Sequence, residues 1–99
     1  MVPRLVLAAL LFAAAMPWAE AASPTPPPGA SSCSGCHAAS KSVDTPVPRL
    51  VGRSPAEIEA AMLAFRTGQK PARVMDRIAK GFSDDEIKAI ATWYGAQKD

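Results

Sequence analysis

A C-x-x-C-H run at residues 33–37 constrains this chain more than any other sequence feature. Its two thiols and the imidazole that follows them have the spacing typical of c-type haem attachment. In such a site, each cysteine sulfur binds one haem vinyl group, and the histidine ligates the iron from the same side of the ring. The run therefore predicts one covalent haem, with Cys33 and Cys36 as its anchors and His37 as the proximal iron ligand.

A C-x-x-C pair can also be a redox dithiol, a structural disulfide or half of a zinc site. Zinc is disfavoured because Cys33, Cys36 and His37 are the only cysteines and histidine in the chain, which leaves no second pair of ligands. A thioredoxin-like dithiol requires a strand before the motif, whereas residues 22–29 are proline-rich and show no strand pattern. We therefore favour haem attachment over these alternatives.

Residues 1–21 have the features of a secretory signal peptide. Arg4 supplies a positive charge, residues 5–16 are apolar, and Ala-Glu-Ala at 19–21 has the small-x-small pattern of a signal peptidase site. A permanent membrane helix is disfavoured because spanning a bilayer needs about 20 apolar residues. We expect cleavage after Ala21, export to the periplasm, and no stable membrane insertion afterwards.

The remaining chain is expected to form one small domain. Residues 22–29 predict a stiff, extended N-terminal tail, and residues 30–99 predict a single all-α domain with about four short helices around the haem. So few residues bury only a marginal core by themselves, and a covalent haem would add apolar bulk. The formal net charge of +2 gives no reason to expect nucleic acid or an anionic membrane as a partner.

Two of the four expected helices carry strong end signals. Ser54, followed by Pro55 and Glu57, predicts a capping box with proline at the first helical position, and Gly68 predicts the end after Thr67. A second capping box is predicted at residues 83–86, directly after Phe82. Its three acids lie in the first helical turn, where the helix dipole favours negative charge. The residues of this last helix expected to face the core are Ile87, Ile90, Ala91 and Tyr94, with Trp93 beside them.

The other two helices are less well marked. The first is expected to begin at residues 30–32, where serines could cap free N–H groups, and to continue to about Ser40. Residues 41–47 are expected to form a loop, because Pro46 lies within this segment and Pro48 follows it. A short helix is expected over residues 73–80, closed by Gly81.

The candidates for the distal iron ligand can be reduced by elimination. With the one histidine and both cysteines already assigned, a methionine sulfur, or less often a lysine amine, is the usual donor. Beyond the signal peptide, the methionines are Met62 and Met75. Met62 lies in the apolar stripe of the second helix, where methionine is more often a core filler, so we predict Met75. Without a methionine ligand, the protein would instead be a five-coordinate haem sensor or peroxidase.

With C-x-x-C-H at 33–37, P-R-L-V-G at 48–52 and Met75 in this order, the chain resembles a class I c-type cytochrome. The run M-D-R-I-A-K-G-F-S at 75–83 is similar to the cytochrome subunit of flavocytochrome c sulfide dehydrogenase. This resemblance implies that Met75 is the distal ligand. It also implies that the Pro48 carbonyl accepts a hydrogen bond from the His37 ring, which would orient the imidazole and strengthen it as a donor.

The chain also departs from that family, because a proline-rich tail replaces most of the usual N-terminal helix. The helix crossing that normally covers Tyr94 or Trp93 is therefore expected to be short, leaving the haem edge open or covered by a partner.

The resemblance implies an electron carrier that is not an enzyme by itself. Its partner would be a redox protein, specifically a flavoprotein subunit that oxidises sulfide or related sulfur compounds. The alternative is a free soluble shuttle between respiratory, oxidase or reductase partners. Basic residues expected near the methionine side of the haem could attract an acidic partner. They are Arg49, Arg53, Lys70, Arg73, Arg77 and Lys80.

Overall fold

The computed structural model describes residues 25–98, which contain four α-helices and no strand. They are α1 (Ala30–Cys33), α2 (Pro55–Thr67), α3 (Met75–Ala79) and α4 (Asp84–Ala96). Helix α2 packs against both α3 and α4. The expectation of a small all-α fold with four short helices is confirmed. None of the described helices has the length and apolar character needed to cross a membrane.

The predicted signal peptide, residues 1–21, lies outside the described residues, and the proline-rich tail is described only from residue 25. The division into signal peptide, tail (22–29) and folded domain (30–99) therefore stays a prediction.

Both long helices begin where their capping signals predict, and α2 also ends where predicted. At the start of α2, the Ser54 hydroxyl accepts a hydrogen bond from the Glu57 N–H at 3.5 Å. Helix α2 then ends at Gly68, whose φ of 82° lies in the left-handed region that glycine adopts easily. At the start of α4, the capping box is complete: the Glu86 N–H donates to the Ser83 hydroxyl at 3.2 Å, and the Ser83 N–H donates to Glu86 Oε1 at 3.0 Å.

Helix α1 begins as predicted but ends at Cys33 rather than near Ser40. The backbone N–H groups of Cys36 and His37 both donate to the Cys33 carbonyl, at 3.2 and 2.9 Å, and close a tight turn that ends the helix. The predicted serine cap is also wrong. The capping position is Gly29, and the Ser32 hydroxyl instead donates to the Gly29 carbonyl at 2.6 Å.

Helix α3 is likewise shorter than the predicted span of 73–80. It begins at Met75 because Val74, with φ of −132° and ψ of −40°, has not yet entered the helical conformation. It ends at Ala79, with Lys80 as its C-terminal cap. The Gly81 N–H then donates to the Ile78 carbonyl at 3.0 Å.

The core consists of two apolar clusters, bridged by the half-buried Phe82, which packs against both. The first cluster joins α1, α2 and α4 and contains Ala30, Ile58, Ile90, Ala91 and Tyr94. The second joins α2, α3 and α4 and contains Met62, Ala79 and Ile87. The predicted inward stripe of α4 is confirmed, since all four of its members are buried. Trp93 packs beside the first cluster as expected.

Replacing Gly95 by alanine is expected to destabilise the protein, although alanine normally stabilises a helix by about 1 kcal/mol relative to glycine. A Cβ at this position would lie 2.5 Å from Pro55 Cγ and 2.8 Å from the Arg53 carbonyl oxygen. The overpacking should cost about 1–3 kcal/mol and lower the thermal midpoint by several degrees. Thermal unfolding of the holoprotein checks this. Ala89→Gly, at an exposed position of α4, gives the helix-propensity control, and an unchanged or raised midpoint for Gly95→Ala would contradict the close packing.

The capping box of α4 predicts a specific pH dependence. Hydrogen bonds from the Ser83 backbone N–H and hydroxyl stabilise the Glu86 carboxylate and lower its pKa below the ordinary value. Because the folded-state pKa is lower than the unfolded one, Glu86 contributes stability above the ordinary glutamate pKa of about 4.3. That contribution is lost as pH falls through the lowered folded-state value.

We therefore expect Glu86→Gln to be less stable than the parent at neutral pH and to lose less stability on acidification. Denaturant unfolding at a series of pH values measures both effects. Glu59→Gln, within α2, provides the matched removal of a carboxylate. Parallel pH curves for the parent and Glu86→Gln would rule out this role for Glu86.

Candidate haem site

The predicted attachment residues lie at the end of α1 and in the turn that follows it. Cys33 is half-buried and packs against the first core cluster, whereas Cys36 is exposed, and neither thiol is in a disulfide. Burial raises the pKa of the Cys33 thiol. Because the turn brings the His37 backbone N–H to the Cys33 carbonyl, the two thiols and the imidazole belong to one short, hydrogen-bonded unit.

His37 is oriented by a backbone carbonyl on the far side of the following loop. Its Nδ1 atom lies 2.5 Å from the Pro48 carbonyl oxygen. A carbonyl oxygen can only accept, so Nδ1 carries the proton in this bond, and in the neutral ring Nε2 is the nitrogen with a free lone pair. The contact implied by the resemblance is thus present in the structure, and it leaves His37 with one nitrogen for a metal.

A side-chain hydrogen bond from Arg49 joins the two ends of the loop between His37 and Pro48. The Arg49 guanidinium donates to the Ala39 carbonyl from Nε at 3.3 Å and from Nη2 at 2.9 Å. Arg49 is one of the basic residues predicted to attract a partner, and nothing in its local sequence indicates this loop-closing role. The bond joins residues ten apart, and only the folded chain brings them together.

Tyr94 is a further residue that supports the site. Its hydroxyl donates to the Ala30 carbonyl at 2.5 Å, and its own carbonyl accepts from the Gly52 N–H at 3.1 Å. It therefore joins α4 both to the helix that carries Cys33 and to the loop that follows Pro48. Burial, and then the neighbouring Cys33, raise the pKa of Tyr94. The sequence predicted that Tyr94 faces the core, but not that its hydroxyl holds α1.

Although the described part of the chain begins with a helix of only four residues, Tyr94 is well covered. Only 3% of its surface is exposed, because Ala30 and the start of α1 pack over it. The Trp93 ring meets the Tyr94 ring edge-on, with centroids 4.9 Å apart. The first helix is short, as expected, and Tyr94 is nevertheless buried, while Trp93 is half-buried.

The two methionines beyond residue 24 share the second core cluster. Met62 is 8% exposed and belongs to the cluster itself, as expected of a core filler, and the half-buried Met75 packs against it from the first position of α3. The structure thus brings Cys33, Cys36, His37 and Pro48 together at one turn and loop, and places Met75 on a separate helix.

The donor set fits a c-type haem. It offers two unpaired thiols at the C-x-x-C spacing, one imidazole nitrogen with a free lone pair, and thioether sulfurs in the second core cluster. Within residues 25–98, no three His, Cys, Asp or Glu side chains converge as a site for a bare metal ion. The helical fold and this turn together form a small domain whose donor set fits haem c.

Comparison with known proteins shows to which family this chain belongs. The chain is 34% identical over 70 residues to cytochrome c-554(548) of Halomonas halodenitrificans, and the match covers 67% of the chain and 84% of that protein. It is 39% identical over 64 residues to the cytochrome subunit of sulfide dehydrogenase of Chlorobaculum tepidum, covering 65% of the chain. It is also 35% identical over 95 residues to the thiosulfate dehydrogenase electron acceptor of Thiomonas intermedia, covering 93% of the chain.

The chain therefore belongs to the class I c-type cytochromes, and it is similar to the sulfide dehydrogenase subunit in particular. The names of these relatives describe cytochromes and an electron acceptor. The matched region spans 58% of the Chlorobaculum relative and 41% of the Thiomonas relative. No family model matches the chain.

Proposed function

We propose that this chain is a periplasmic electron carrier in which one haem c is bound covalently to Cys33 and Cys36. The observation that carries the proposal is the hydrogen bond between His37 Nδ1 and the Pro48 carbonyl, at 2.5 Å. It gives the only histidine of the chain the orientation and tautomer of a metal ligand, beside two unpaired thiols at the attachment spacing. A disulfide or a simple dithiol gives no reason for that contact.

Each residue of the site has a distinct task in this proposal. The thiols of Cys33 and Cys36 would form the thioether bonds to haem, and His37 Nε2 would donate to the iron. The Pro48 carbonyl holds the imidazole in one orientation and increases its basicity. Met75 would supply a thioether sulfur to the iron, a donor that favours Fe(II) and raises the reduction potential. When bound, the haem would supply one-electron redox chemistry.

We propose that the electron donor is a flavoprotein that oxidises sulfide or a related sulfur compound. Two relatives support a sulfur-oxidising partner by their names, one as a cytochrome subunit of sulfide dehydrogenase and the other as an electron acceptor of thiosulfate dehydrogenase. The run at residues 75–83, which contains α3 and the capping serine of α4, carries the resemblance to the flavocytochrome subunit.

The second candidate is a free soluble shuttle between respiratory, oxidase or reductase partners. It is favoured by the match to cytochrome c-554(548), because that match covers 84% of a protein whose name includes no dehydrogenase. The two candidates differ in how tightly the chain binds its partner. A subunit co-purifies with its flavoprotein, whereas a shuttle makes brief and salt-sensitive encounters.

Isolation of the chain from its native periplasm at low salt distinguishes the two. The absorbance of the purified fraction is read for haem and flavin together, before and after gel filtration and a salt wash. Stoichiometric flavin that survives both steps supports the subunit, and haem alone in a small fraction supports the shuttle. A fraction without haem would overturn both candidates.

A further inference from the structure

The loop between His37 and Pro48 lacks the apolar contacts that hold the rest of the domain together. Neither core cluster includes any of residues 38–47, and most of these residues are exposed. Hydrogen bonds within the loop join close neighbours, such as the hydroxyls of Ser40 and Ser42 at 2.7 Å. Bonds of this kind shape the loop locally, but they do not fix the distance between its two ends.

Two contacts cross the base of this loop in opposite directions. His37 Nδ1 donates to the Pro48 carbonyl at 2.5 Å, and the Arg49 guanidinium donates to the Ala39 carbonyl from Nε at 3.3 Å and from Nη2 at 2.9 Å. Arg49 directly follows Pro48, and Ala39 lies just beyond His37, so the two contacts are neighbours. The charge of the half-buried guanidinium strengthens its pair of hydrogen bonds. Each contact therefore closes nearly the same loop as the other.

The covalent chain also links Arg49 to the direction of the Pro48 carbonyl. That carbonyl belongs to the planar peptide group that joins Pro48 to Arg49. The proline ring fixes φ on one side of the group, and the contact with Ala39 holds the residue on the other side. The carbonyl therefore has little freedom to turn away from His37.

The entropy of loop closure supports the same coupling between the two contacts. Bringing the ends of a flexible loop together costs conformational entropy, whichever contact closes it. With Arg49 bound to the Ala39 carbonyl, the ends are already close, so the bond between His37 and Pro48 forms with little further loss. Without the guanidinium, that bond has to offset the closure cost itself, and it opens more often.

We propose that Arg49 is a positioning residue for His37. By binding the Ala39 carbonyl, it keeps the Pro48 carbonyl on Nδ1 and so increases the basicity of Nε2. The inference rests on the proposed function, which assigns Nε2 to the iron of a haem. A more basic imidazole favours Fe(III), so the intact contact lowers the reduction potential. Arg49 thereby helps to set the potential at which the carrier accepts an electron.

The test compares the purified parent holoprotein with the variants Arg49→Leu, Arg49→Lys and Arg53→Leu. Leucine removes the donors and the charge, whereas lysine keeps the charge and one donor group. Arg53→Leu is the matched control, because it removes the same charge from an exposed arginine of the same segment. NMR of the reduced protein measures how fast the His37 Nδ1–H proton exchanges with solvent, and a potentiometric titration measures the reduction potential.

Arg49→Leu is expected to keep the haem spectrum but to speed exchange of the His37 Nδ1–H about tenfold. It should also raise the reduction potential, so that the ferrous-to-ferric ratio at a fixed ambient potential increases about threefold. Arg49→Lys should lie between Arg49→Leu and the parent, because an ammonium lacks the planar fork of the guanidinium. Arg53→Leu should leave the exchange rate unchanged and should not raise the potential, since loss of a positive charge favours Fe(III).

Two results would overturn the positioning role. One is an unchanged exchange rate in Arg49→Leu. The other is a fall in the potential of Arg49→Leu that equals the fall in Arg53→Leu, which would show that Arg49 acts through its charge alone. Either result with a normal haem spectrum leaves the proposed function intact, whereas a parent protein isolated without haem would overturn the proposed function as well.

The parent protein provides a second measurement, should Arg49→Leu fail to fold. If one loop closure protects both groups, the Arg49 Nε–H and the His37 Nδ1–H lose their protection from exchange together as dilute denaturant is added. Loss of protection at the Arg49 Nε–H while the His37 Nδ1–H stays protected would contradict the proposal.

Discussion

Replacing Met75 by leucine is expected to convert the low-spin absorption spectrum into a high-spin one and to lower the reduction potential. Leucine is close to methionine in volume, so packing against Met62, Ala79 and Ile87 changes little, and the expected cost in stability is below about 1.5 kcal/mol. The thioether donor is lost, and with it the preference for Fe(II). A fall on the order of a hundred millivolts in a potentiometric titration, together with the spectral change, measures the loss.

Met62→Leu is the matched control, because it removes the second sulfur of the same cluster at similar volume. It is expected to keep both the low-spin spectrum and the potential. Met62→Ala should keep the spectrum as well, but lose about 2–5 kcal/mol of stability, since Met62 is buried. If a Met62 variant lost the low-spin spectrum and Met75→Leu kept it, the assignment of the distal ligand would be reversed.

Replacing Tyr94 by alanine is expected to remove most of the stability of the folded domain. The side chain is almost fully buried in the first core cluster, so its truncation should cost about 3–5 kcal/mol. That is comparable to the lower end of the whole free energy of unfolding of a small domain, about 5 kcal/mol. Denaturant unfolding followed by circular dichroism measures the loss.

Tyr94→Phe separates the hydroxyl from the ring. It keeps the packing but leaves the Ala30 carbonyl without its donor, for an expected loss of about 1–2 kcal/mol. Trp93→Phe, at the half-buried neighbouring ring, is the control for a change in aromatic packing that leaves this hydrogen bond in place. If Tyr94→Phe matched the parent in stability, the hydroxyl bond would have no role in holding α1 to α4.

The long helices illustrate what a local sequence signal can predict. Ser54 and Ser83 with the acids three residues later, and Gly68 after α2, predict helix ends through bonds between residues close in the chain. The inward stripe of α4 was predictable for a similar reason, because helical periodicity alone places those side chains on one face.

The short helices show that local signals did not predict where α1 ends or where α3 begins. Helix α1 ends early because the Cys33 carbonyl takes two N–H donors in a tight turn, and α3 begins late because Val74 is not helical. Both outcomes depend on how a weakly helical segment is held by its neighbours, since helices of four and five residues have little stability of their own.

Four features were predictable from the chain read in order: the attachment motif, the class of cofactor, the two long helices and the residues of α4 that face the core. These depend on spacing and periodicity, which are properties of the chain read in order. Long-range packing, in contrast, is what brings Arg49 onto the Ala39 carbonyl, joins the Tyr94 hydroxyl to α1, and leaves Val74 and Ile78 exposed. Contacts between residues distant in sequence, and the surface left after packing, depend on how the helices meet, which no local pattern specifies.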